Sequence, residues 1–176
     1  MSITSKVEEE FLRDDLYDAL RWLFEGAIVW EAARRSLPDT VRHLRVLGMF
    51  TSLVQARALY EFYYKSGWND DFRVKDFAPK WKPTESPLYK RYMDRSQPAQ
   101  KRVFHLVRNR KLHAGGVGPD ALNHQVLNFA TDLRNLTEEF GKNADTIFQG
   151  EIQSTLARSI QEAHRAAQYY HIPNPF

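Results

Sequence analysis

Cysteine is absent from the 176 residues, which removes disulfide scaffolds, thiolate zinc sites, iron–sulfur clusters and cysteine nucleophiles together. Glycine and proline are scarce, eight of each, so neither a collagen-like repeat nor a linker-dominated chain fits. Long apolar runs are missing too. Ala27 to Trp30 and Val46 to Phe50 are interrupted by charge far short of the roughly 20 residues that a membrane span requires. Met1 to Glu10 carries Lys6 and then Glu8, Glu9 and Glu10, which matches neither a secretory nor a transit signal. The expectation is a cytoplasmic protein with no membrane partner. What remains is an ordinary composition, 43% hydrophobic and 27% charged with a net charge of +3, enough for one domain, residues 1–176, with its own core.

The periodicity is helical throughout, with no alternating strand pattern and no internal repeat. Residues 5–36 contain no proline, and Leu12, Leu16, Leu20, Leu23 and Ala27 recur at steps of four and three, predicting one long helix. Asp39 is placed as the N-cap of a second helix, with Leu44, Leu47, Thr51, Val54, Ala58 and Phe62 as its inward set and its end near Gly67. Pro79, Pro83, Pro87 and Pro98 break the following stretch. It reads as an insertion over about 67–97 with a helical turn or two around Leu88 to Asp94. Its aromatic residues Trp68, Phe72, Phe77, Trp81, Tyr89 and Tyr92 are expected to cap the end of the bundle, with stacking on unpaired bases as the other use of such side chains. A helix is then predicted from Ser96 and Pro98 through Val103, Leu106 and Val107 to about His113, stopped by Gly115 and Gly116. Another opens at Gly118-Pro119-Asp120 with the stripe Leu122, Val126, Phe129, Leu133, Leu136, Phe140. A last one runs from about Gly150 with Ile152, Leu156, Ile160, Ala163, Ala167 and Tyr170 inward. The fold class is all-α, an antiparallel helical bundle of four to five main helices.

Several chemistries housed by helical bundles lack the residues they need. A di-iron carboxylate centre uses Glu-x-x-His pairs, and the residues three before the six histidines are Thr40, Arg102, Arg110, Ala121, Gln161 and Gln168, none acidic. A His-Asp phosphohydrolase fails because no histidine is followed by Asp. Gly116-Val117-Gly118-Pro119-Asp120-Ala121 has the spacing of a dinucleotide loop, yet no strand precedes it and Pro119 removes an amide donor. It is a helix stop followed by a helix start. His43, His105, His124 and His164 have no second ligand at matching spacing, so no metal or other cofactor is expected.

One constellation survives. Arg108-Asn109-Arg110-Lys111-Leu112-His113 closes a predicted helix, inside a window from Arg95 to Pro119 that contains Arg95, Lys101, Arg102, Arg108, Arg110 and Lys111 and no acid. A localised cation cluster of this kind attracts phosphates in a salt-dependent way, although charge runs also serve as plain solvated faces. The pattern Arg-Asn-x-x-x-His at a helix end in a small all-helical chain resembles the signature of the HEPN domain family. Requiring Asn directly after Arg lowers the chance occurrence in this composition to roughly 0.02, so the pattern is informative where Arg-x4-His alone is not.

The resemblance implies a metal-independent endoribonuclease, related to toxin–antitoxin and defence proteins, whose composite site is assembled at a homodimer interface. Mapped by position, Arg108 would bind the scissile phosphate, His113 would act as general base or acid, and Asn109 would orient. Lys101, Arg102, His105, Arg110 and Lys111 would grip flanking RNA phosphates. RNA supplies its own 2′-hydroxyl nucleophile, so a fixed cation and a group titrating near neutrality suffice. Arg108 and His113 stand about 140° apart on a regular helix, so either the Ala114-Gly115-Gly116 segment unwinds or each residue completes the partner's site. Relatives paired with a nucleotidyltransferase antitoxin carry a Tyr two residues after the His. Gly115 stands there in this chain, which departs from that form of control, although a cognate antitoxin or regulatory protein stays among the expected partners. The other reading is a catalytically inactive HEPN-like module that binds nucleic acid, nucleotide or a protein.

Overall fold

The structure is a computed structural model that describes residues 3–35, 42–64, 71–92 and 125–176. The first helical rod begins with α1 (Ile3–Glu10), passes through one wider π-type turn (Phe11–Asp15) and continues as α2 (Leu16–Arg35). The predicted stripe of Leu12, Leu16, Leu20, Leu23 and Ala27 is buried, so the wider turn preserves the inward face while inserting a residue. Next come α3 (Arg42–Tyr64), two short helices α4 (Val74–Phe77) and α5 (Pro87–Tyr92), then α6 (Val126–Asn143) and α7 (Thr146–Tyr169). The described residues contain no strand. None of their helices is long and apolar enough to cross a membrane.

Helix directions follow from which residues touch. Gly26 and Trp30 of α2 meet Ser52 and Gly48 of α3 in descending order, so these two are antiparallel. Gly141 of α6 meets Ile152 and Gln153 of α7 across a tight corner, Ala144-Asp145, and this pair is antiparallel too. By contrast α2 and α7 run parallel. Thr155 Oγ1 donates to the Leu12 carbonyl at 2.9 Å, and Arg158 lies 4.6 Å from the Tyr17 ring centre. The antiparallel expectation therefore holds for α2 with α3 and for α6 with α7, while α2 with α7, and α3 with α6 through Tyr60–Asp132 and Tyr63–Thr137, share a direction.

The inward face expected for α3 is corrected. Leu47 is 60% exposed, Val54 is 44% exposed and Ala58 is exposed; Leu44 and Thr51 are half-buried, and only Phe62 of that set lies in the core. The buried side is instead Met49, Ser52, Leu53, Ala56, Leu59, Tyr60 and Tyr63. α3 carries two apolar stripes, and a notch decides between them. A Cβ on Gly48 would lie 2.7 Å from both the Gly26 carbonyl oxygen and the Trp30 nitrogen. The backbones of α2 and α3 cross there with no room for a side chain, which fixes the rotation of α3.

The cap role expected for the aromatic insertion holds for the residues described. Phe72 and Phe77 contact Phe11 at 4.8 and 5.6 Å between ring centres, and Trp81 stacks on Phe140 at 6.0 Å. The Phe77 carbonyl accepts the Asp145 N–H at 2.8 Å, tying α4 to the α6–α7 corner. Trp68 and the Tyr92 side chain lie outside the described residues. The expected turn near Leu88 is α5, whereas α4 was not anticipated. The stripe Val126, Phe129, Leu133, Leu136, Phe140 is buried as expected. In α7, Ile152, Leu156, Ala163 and Ala167 are buried, and Ile160 and Tyr170 are half-buried. That helix begins four residues before the expected Gly150, which sits exposed within it. It ends at Tyr169, and His171 just beyond lies in the left-handed region at φ 54°, before Pro173. The Asp39 cap, the Gly118 start and the predicted helix from Ser96 to His113 lie outside the described residues.

Candidate functional site

Arg108, Asn109 and His113, with Lys101, Arg102, His105, Arg110 and Lys111, all fall between Tyr92 and Gln125, outside the described residues. What is described is the frame from which that stretch departs and to which it returns. α5 begins with Pro87 at its first position, the place a helix tolerates proline, and Ser86 caps it by accepting the Tyr89 N–H on Oγ at 3.1 Å. The same Ser86 hydroxyl donates to Asp132 Oδ2 at 2.5 Å, and Tyr60 donates its hydroxyl to that oxygen at 2.5 Å. Tyr64 donates to the Thr84 carbonyl at 2.6 Å and accepts the Ser86 N–H at 3.0 Å, while its ring stacks on Tyr89 at 4.4 Å. One carboxylate on α6 thus joins α3 to the start of α5.

Burial first, then the Asp132 charge and hydrogen bond, pushes the Tyr60 phenol far above its ordinary value. Burial likewise raises Tyr64. Both phenols therefore stay protonated and act as donors near neutrality. The histidines among the described residues stand elsewhere. His43 and His171 are exposed, and exposed His164 pairs through its ring nitrogens with Gln168 at 2.9 Å and Asn174 at 3.3 Å. Among the described residues no group of His, Asp or Glu is arranged to hold a metal ion.

A second polar arrangement escaped sequence reasoning. Glu31, in the last turns of α2, is buried, and its two oxygens accept from Arg34 Nε at 2.9 Å, Arg34 Nη2 at 2.8 Å and Arg35 Nε. The Arg34 guanidinium lies 5.6 Å from the Trp30 ring centre. The hydrogen bond from Arg34, opposed by burial and joined by that from Arg35, lowers the Glu31 carboxyl below its ordinary value. The signal was legible as Glu-x-x-Arg-Arg at spacings of three and four, but such pairs normally sit in solvent and attract no notice.

No protein-family model, no curated protein and no solved structure matches this chain.

Proposed function

We propose that the protein is a metal-independent endoribonuclease that cleaves RNA by 2′-hydroxyl transesterification through a composite Arg/His site at a homodimer interface. The observation that carries the reading is Arg108-Asn109-x-x-x-His113 inside the acid-free window 95–119. The absence of cysteine is compatible with it, because this chemistry needs no thiol. In this reading Arg108 neutralises the charge that develops on the phosphorane and His113 moves the proton of the 2′-hydroxyl or of the leaving oxygen. Asn109 orients the phosphate.

The test uses purified protein and labelled RNA in chelator. Cleavage persists without metal and leaves 2′,3′-cyclic phosphate ends, and His113→Ala lowers the rate by about 10²–10⁴. A protein that elutes as a strict monomer, or cleavage unchanged in His113→Ala, overturns the reading.

A further inference from the structure

A groove of about 250 Å³ opens to solvent between α6 and α7. Its bed is apolar. Gly141 contributes only backbone, Leu156 is buried and Ile160 is half-buried. Thr137 is fully buried and its hydroxyl is already engaged, donating to the Leu133 carbonyl at 2.7 Å and accepting from Tyr63 at 2.9 Å, so it brings no unpaired polar atom to the groove. The Glu138 carboxylate accepts from Arg134 through Nε at 3.1 Å and Nη2 at 2.9 Å, and its charge is thereby matched.

The polar groups that remain stand together at one end. Lys142 and Gln153 both line the groove, both are exposed, and neither side chain has a hydrogen bond or ion pair with a described residue. They share one level of the antiparallel pair, because a Cβ on Gly141 would lie 3.4 Å from Gln153 Cγ. The other end is Ile160, seven residues and about 10 Å further along α7. A concave apolar bed with a few convergent polar groups is the general form of a small-molecule site. The sign of those groups selects the head of the ligand. One ammonium beside an amide N–H donor matches a single carboxylate, and Glu138, which would otherwise favour a cation, is taken by Arg134. Volume selects the tail. At roughly the 30 Å³ that a water occupies in the liquid, the groove holds about eight carbon-sized groups. Its elongated shape, with the donors at one end, suits an unbranched chain.

We propose that the α6–α7 groove binds an unbranched monocarboxylate of about eight carbons, its carboxylate on Lys142 and Gln153 and its chain laid over Leu156 towards Ile160. None of these residues belongs to the Arg108–His113 constellation, so binding here stands or falls apart from RNA cleavage.

The probe is octanoate labelled with carbon-13 at the carboxylate, titrated against the full chain and followed by NMR. Octanoate saturates one site. Octanamide, which keeps the tail and loses the charge, binds about tenfold more weakly or worse. Lys142→Glu weakens octanoate by at least the same factor, whereas Lys82→Glu, an equal change of net charge at another exposed lysine, leaves affinity within about twofold. Ala157→Phe fills the groove from an exposed helix position and abolishes binding, with helix content by circular dichroism unchanged. Should that variant lose helicity, chain length decides. Affinity rises about tenfold from hexanoate to octanoate and then levels off towards dodecanoate, whose tail outruns the bed. A rise that continues undiminished to dodecanoate reports general apolar adsorption and overturns the proposal. Octylammonium binding as tightly as octanoate overturns it too, as does octanoate affinity unchanged in Lys142→Glu or in a folded Ala157→Phe.

Discussion

Glu31 has an apolar neighbourhood, between Ala27-Ile28-Val29-Trp30 and Ala32-Ala33, yet it is ionised by the two guanidiniums that follow it. Its carboxyl is depressed in the folded protein below the ordinary 4.5, so the folded state binds that proton more weakly than the unfolded chain does. Its contribution to stability is complete above the ordinary carboxylate range and disappears as pH falls below about 4.5 and through the depressed folded value. The melting temperatures of wild type and Glu31→Gln should therefore differ most near neutrality and converge towards pH 3. A gap that stays constant would show that the bridges to Arg34 and Arg35 contribute nothing. The spacing Glu31, Arg34, Arg35 was visible in the sequence. The burial was not, because helical spacing does not report what packs over a side chain.

Elements with a single apolar face were legible: the rod through Leu12 to Ala27, the α6 stripe and most of the α7 stripe. α3 was not, since both of its candidate faces are apolar at helical spacing, and periodicity cannot choose between them. The choice is made by Gly48, whose missing side chain lets the Gly26 carbonyl and the Trp30 amide come close. Gly48→Ala places a methyl group against backbone that cannot yield, and should cost about 1–3 kcal/mol in chemical denaturation. Leu47→Ala, which the sequence pattern would score as a core deletion of about 2–5 kcal/mol, should cost within about 0.5 kcal/mol because its side chain is exposed. A Leu47→Ala loss as large as that of Gly48→Ala would mean that the outer stripe is covered. The short α4 also escaped notice, because four residues between turn signals carry too little periodicity to register.

Across the whole molecule the Asp132 carboxylate joins residues 72 and 46 positions away, Tyr60 and Ser86, in one node. Tyr60→Phe removes one donor to a charged acceptor and should cost about 1.5–3 kcal/mol. Because Ser86 shares the oxygen, the double variant with Ser86→Ala should depart from additivity by at least about 0.5 kcal/mol in a denaturation cycle, and simple additivity would mean that the two bonds act separately. Such long-range polar ties leave no local signature in a sequence, which is why this node was not expected. The parallel pairing of α2 with α7 has a consequence for biosynthesis. The carbonyl of Leu12 waits for Thr155, 143 residues later. The rod that begins with α1 leaves the ribosome long before α7 has been translated, so a nascent chain must shelter the face that α7 covers on chaperones or in provisional contacts until that helix is made.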